Sequence, residues 1–181
     1  MGHGISDIDT EELINISSGE LISTNVMYIR KGEKGNPGEM KGTIDSESVI
    51  GRIDENTDFG IYGKIVDSNF NFNQTDKMGV ATREEIQEGE AYMLAQLNSS
   101  TVQKYKIEIK RINRNNNKDN KSMLIKVTDN SLLKKTGGII QGMSGAPIIQ
   151  NGKFVGAITN VFVNEPTQGY AIFADLMLRN E

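Results

Sequence analysis

Apolar and polar residues alternate in short runs along this chain, and the runs are too brief for long helices. The clearest lies at 102–112, where Tyr105, Ile107 and Ile109 fall on one face and Lys104, Lys106, Glu108 and Lys110 on the other. A period of two predicts a half-buried strand. Residues 20–31 are rich in β-favouring types and end at Gly32, and the Gly- and Pro-punctuated stretch 32–38 predicts a turn or loop. Residues 48–54 and 58–66 predict two strands, and 67–77, with Phe70 and Phe72 alternating, a hairpin edge. Residues 91–97 pair with 102–112, a polar, Asn-rich loop covers 113–121, and 123–128 returns as a strand. About one helical turn is expected at 131–135, then strands at 146–150, 154–163 and 169–174, and a terminal turn at 176–178. Asn151-Gly152, between the first two of these strands, is the strongest hairpin signal in the chain. Many short strands separated by turns predict an all-β fold, closed or sandwiched.

Composition narrows the partners. The formal charge of −4 argues against nucleic acid. The one basic-rich stretch, Lys104 to Lys121, is interrupted by Glu108, Asp119 and several asparagines, and reads as a solvated strand and loop. With no cysteine there is no disulfide, thiolate metal site or cysteine nucleophile, and with one histidine and scattered acids no metal site is expected. No phosphate-binding glycine loop is present, so no cofactor is expected. No signal peptide or membrane-spanning run is visible in the chain, whose hydrophobic residues make up 36%.

Candidate chemistry centres on Gly142-Met143-Ser144-Gly145-Ala146-Pro147. A nucleophilic serine needs an exposed hydroxyl on a tight turn, and glycine before it permits backbone angles that a side chain would forbid. The same turn can aim amide groups at a developing oxyanion; those of Gly142 and Ser144 are the natural donors. The strand–Asn-Gly–strand unit that follows would hold the turn rigid, as the corresponding hairpin does in chymotrypsin-like peptidases. The plain alternative is a Gly/Ser connection between two strands. Serine also needs a base, and His3 is the sole histidine. For the acid that orients it, Asp7, Asp9, Asp58 and Asp129 are candidates. Spacing along the chain favours Asp58, whereas Asp129 precedes the predicted helical turn and has an alternative use as its N-cap.

Two long motifs carry a family resemblance. Gly2-His3-Gly4-Ile5-Ser6-Asp7-Ile8-Asp9-Thr10 and the run from Thr136 to Gly152, through Gly142-Met143-Ser144-Gly145, closely resemble the stage IV sporulation protein B (SpoIVB) serine peptidases. The likeness continues through 156–164 and 166–170 and covers nearly the whole chain. It implies a chymotrypsin-like double β-barrel over 1–181, in two β-subdomains of roughly 1–97 and 98–181. It implies catalysis by His3, Asp129 and Ser144, which places Asp129 ahead of Asp58, with Gly142 and Ser144 forming the oxyanion hole. It further implies a protein substrate, the regulator of an intramembrane protease whose release activates a late sigma factor, and a location in the forespore intermembrane space. The PDZ domain of full-length relatives is not expected in this chain. Only two residues precede His3, so the first barrel is expected to be incomplete at its N-terminus. A different class of function, a catalytically weak or inactive peptide-binding module of the same fold, would bind by adding a strand to an exposed edge. By analogy with chymotrypsin-like geometry, the specificity pocket is expected between residues 137–142 and the strand near Thr159–Asn164, with Glu165 as its one candidate acid.

Overall fold

A computed structural model describes residues 18–69, 77–98, 101–116 and 118–178. His3, Asp7, Asp9 and most of the predicted 67–77 hairpin edge lie outside the described residues. In chain order the elements are β1 (Gly19–Arg30), β2 (Glu39–Thr57), β3 (Gly60–Ile65), β4 (Gly89–Gln96), β5 (Val102–Ile112), β6 (Met123–Val127), α1 (Asn130–Thr136), β7 (Pro147–Gln150), β8 (Lys153–Phe162), β9 (Glu165–Phe173) and α2 (Ala174–Met177). The chain is all-β, as expected. A closed antiparallel barrel runs β4-β5-β6-β9-β8-β7, and a second sheet runs β1-β2-β3. The barrel and second sheet fit the double-barrel architecture, with the second sheet open among the described residues.

Alternation fills the barrel. Ala91, Met93 and Ala95 on β4, Tyr105, Ile107 and Ile109 on β5, and Met123, Ile125 and Val127 on β6 all point inward and are buried. Ile148, Val155, Ile158, Ala171 and Phe173 complete the same cluster from β7, β8 and β9. Burying a run of such side chains is the main stabilising term of the domain, and closure leaves no sheet edge to aggregate. Between β7 and β8, Asn151 and Gly152 take φ of 50° and 76°, the two positive angles that a two-residue type I′ hairpin requires.

Sheet membership changes between β3 and β4, ahead of the 97/98 division expected from the sequence. β4 belongs with the barrel because it pairs with both β5 and β7. The second sheet is built differently. β2 has 19 residues, far longer than the strand expected at 48–54, and most of its positions are half-buried or exposed. Its pairing with β1 is broken by three register shifts, the irregularities by which long ribbons bend and twist.

The loop between β1 and β2 docks this ribbon on the barrel. The amide of Gly32 donates to Thr136 O, that of Gly35 to Val163 O and that of Gln141 to Gly38 O, while Met40 donates to Gln141 O at 3.0 Å. Gly38 permits the approach, since a Cβ there would stand 2.3 Å from Arg30 O and 2.7 Å from Ile140 Cγ2. Arg30 organises the loop from within: Nε bonds Glu39 at 3.0 Å, Nη1 the Asn36 side chain at 2.9 Å and Nη2 the Pro37 carbonyl at 3.3 Å. Among the described residues no helix is long and apolar enough to cross a membrane.

Candidate active site

The segment between α1 and β7 carries Ser144, and its shape follows from what it buries. Ile139, Ile140 and Met143 are almost wholly enclosed, at 2%, 1% and 2% exposure. Met143 therefore pegs the turn into the core. Four backbone bonds complete the fixation: Met143 N–H to Ile140 O, Ala146 N–H to Met143 O, Gly145 N–H to Ile158 O and Ile158 N–H to Ala146 O. Gly142 and Gly145 on either side take φ of 102° and 90°, angles that favour glycine. The amides of Gly142 and Ser144 donate to no backbone carbonyl among the described residues. Ser144 is half-buried, and its hydroxyl donates to the carbonyl of Thr159 at 3.0 Å.

Ser144 lies on the wall of a cleft of about 630 Å³ that is also lined by Pro37, Ile140, Gly142, Asn160 and Val161. Its lining draws on 139–142 and 159–163, within the segments 137–142 and Thr159–Asn164 between which the sequence leads one to expect a specificity pocket. Among the described residues no charged side chain lines the cleft, and Glu165 is not one of the lining residues. Glu165 is exposed and accepts a hydrogen bond from the Thr167 hydroxyl. A neutral side chain fits such a cleft without leaving a charge unpaired.

The acid candidates separate. Asp129 caps α1: Oδ1 accepts from the amides of Ser131 and Leu132 at 2.9 and 3.0 Å, and Oδ2 from the amide of Lys106 at 3.2 Å. Ser131 Oγ donates to the same Oδ1. Burial pushes this carboxyl up, but the Ser131 hydroxyl and the Leu132, Lys106 and Ser131 amides outweigh it and hold the group below the ordinary aspartate value. Tyr105 next to it is shifted the other way, upward, first by burial and then by the Asp129 charge. Asp58 is exposed in the turn between β2 and β3. It stands at the opposite end of β2 from Met40, which touches Gly142; a strand of 19 residues has a contour of about 60 Å. Neither aspartate lines the Ser144 cleft.

The family model described as SpoIVB peptidase S55 matches residues 1–178. The chain belongs to the SpoIVB peptidase S55 family. Comparison with curated proteins and with solved structures gave no match. Family membership makes the activity peptidase chemistry on a protein substrate.

Pro37 and Met40 are residues of this site that sequence reasoning missed, and the bond from Ser144 Oγ to the Thr159 carbonyl was not foreseen although Thr159 stood at the expected pocket wall. Pro37 lies in a stretch whose Gly and Pro content announced a turn but not what the turn touches. Met40 begins a polar strand segment with no alternation to reveal it.

Proposed function

We propose that this chain is a serine endopeptidase acting through an acyl-enzyme. Ser144 Oγ adds to the carbonyl carbon of the scissile peptide bond while His3 takes its proton. The negative oxygen of the tetrahedral adduct is held by the Gly142 and Ser144 amides. The C–N bond then breaks, His3 returns the proton to the departing amine, and water releases the acyl group by the same steps in reverse roles. Asp129 orients the imidazole and stabilises its charged form. The observation that carries the reading is the Ser144 turn, pinned by Met143, with two amides that have no backbone partner among the described residues, on the rim of the cleft. Oxyanion donors of this kind supply about 3–4 kcal/mol of transition-state stabilisation each.

Family membership supports a place in sporulation signalling. There the substrate is the regulator of an intramembrane protease, its cleavage activates a late sigma factor, and the compartment is the forespore intermembrane space. A fluorophosphonate probe tests the chemistry: Ser144 is labelled, and Ser144→Ala and His3→Ala abolish labelling. An unlabelled, folded wild-type chain sinks the reading.

One observation favours a second reading, a peptide-binding module of the same fold with weak or no catalysis. Both carboxylate oxygens of Asp129 are engaged by α1 and Lys106. Saturable peptide binding with no turnover would select it.

A further inference from the structure

The β5–β6 loop, read from the sequence as a solvated basic stretch, frames a second cleft of about 440 Å³ whose walls include Arg111, Lys121, Ser122, Asp119 and Tyr170. The loop is pinned from beneath. Arg83 Nη1 holds the carbonyls of Arg114 and Asn116 at 2.8 and 3.2 Å, and Arg114 Nη2 donates to Ile86 O at 2.6 Å. The buried Asn116 donates to the Asp119 carboxylate at 2.6 Å and the Lys121 amide to the same oxygen at 2.9 Å; these bonds, with the Lys121 charge, hold this carboxyl below the ordinary aspartate value. Arg111 and Lys121 form no ion pair among the described residues. The ammonium of Lys121 stands over the Tyr170 ring at 5.7 Å. Ser122 is only 1% exposed, and its hydroxyl has no partner among the described residues. A buried hydroxyl with nothing to bond is costly unless something supplies the missing partner.

Thr159 ties the loop that frames this cleft to the Ser144 turn. Thr159 accepts from Ser144 Oγ at its carbonyl, and its own hydroxyl donates to Asn120 O in the β5–β6 loop at 2.9 Å. The pocket framed by this tethered loop holds two cations, one hydrogen-bonded carboxylate and a hydroxyl without a partner among the described residues. We propose that this second cleft is a subsite for an acidic side chain of the bound polypeptide. Its carboxylate is held by Arg111 and Lys121, with Ser122 as a neutral partner. The identity of the polypeptide as substrate rests on the peptidase reading above; the acid-binding chemistry of the cleft does not.

Two measurements on the full chain separate the two. In the first, a proteome-derived peptide pool is digested with wild type and with the double variant Arg111→Gln/Lys121→Gln, and cleavage sites are read by mass spectrometry. Asp and Glu should be enriched at one fixed distance from the scissile bond, roughly fivefold over Asn and Gln, as expected for a pair of partly exposed ion contacts. The enrichment should vanish in the double variant while cleavage of neutral sequences persists. In the second, amide NMR spectra of Ser144→Ala are recorded with acetyl-Ala-Ala-Glu-Ala-Ala-amide and with its Gln counterpart. The Glu peptide should shift Ser122, Lys121 and Tyr170; the Gln peptide should not, nor should the Glu peptide with the double variant added. The same spectra report whether each variant is folded. Cleavage without an acidic preference, or a preference that survives the double variant, overturns the inference. Shifts at these residues without any cleavage by wild type would uphold the cleft and overturn the peptidase reading. Neither shifts nor cleavage would overturn both.

Discussion

Met40, the second residue of β2, packs against Gly142, so that a Cβ on residue 142 would meet Met40 Cε at 2.7 Å and Cβ at 3.3 Å. The Cε is the free end of a flexible side chain and can swing aside; the φ of 102° at Gly142 cannot be relieved so easily. For Gly142→Ala the expected cost is about 1–3 kcal/mol of backbone strain. Displacing the residue 142 amide should lower kcat by about 10²–10³. Urea titration and peptide hydrolysis check the two effects separately, and a variant with undiminished kcat would remove Gly142 from the oxyanion site.

Asp129 allows a sharper division between capping and catalysis. Asn is as good an N-cap as Asp, so Asp129→Asn should keep α1 intact, whereas Asp129→Ala should cost about 0.5–2 kcal/mol. If Asp129 orients His3, the Asn variant loses about four orders of magnitude in kcat at nearly unchanged stability. Near-normal turnover by Asp129→Asn would leave this residue a cap alone.

The same carboxyl makes stability depend on pH. Its folded value is held below the ordinary aspartate value, so the folded state binds the proton less readily than the unfolded one. Its contribution is present above the unfolded value, near 4, and is lost as pH falls through the folded one. The difference in urea midpoint between wild type and Asp129→Asn should therefore move in favour of the Asn variant on acidification from pH 5 toward pH 2. A constant difference across that range would contradict the assignment.

Arg30 ties the cleft wall to the ribbon through Glu39, Asn36 and Pro37. These contacts are partly exposed, so Arg30→Ala should cost only about 1 kcal/mol. Loosening Pro37 removes binding surface that is used equally by substrate and transition state, so KM should rise severalfold with kcat nearly constant. Steady-state kinetics on a peptide substrate would show it; a fall in kcat alone would point to the Ser144 turn instead.

Phe173 is 1% exposed at the end of β9, with the Arg83 guanidinium 4.8 Å from its ring centre. Phe173→Ala should destabilise the barrel by about 3–5 kcal/mol. It should also release Arg83, whose other bonds reach Asp175 and the β5–β6 loop. Chemical denaturation measures the first effect, and faster amide exchange around Arg114 the second.

The barrel was legible because its strands alternate. Tyr105, Ile107 and Ile109 announced β5 at its observed bounds, and Asn151-Gly152 announced the β7–β8 hairpin. What escaped was structure without an apolar stripe. Residues 39–47 are mostly exposed, so the first half of β2 has no period to read. Pro166 and its polar neighbours hid the start of β9, although Ile139 N–H and the Pro166 carbonyl are paired there. At the candidate site, the glycines around Ser144 were readable because they need special backbone angles. Pro37 and Met40 were not, because their roles arise from contacts between distant segments.

Gln141 is clasped on both sides by the leading end of β2, its amide to Gly38 O and its carbonyl to Met40 N–H. The residue before Gly142 thus belongs mechanically to the ribbon as much as to the barrel. Anything that twists or pulls the far end of the β1–β3 sheet has a handle on the turn that carries Ser144. The long, thinly buried strand thus meets the barrel one residue away from Gly142.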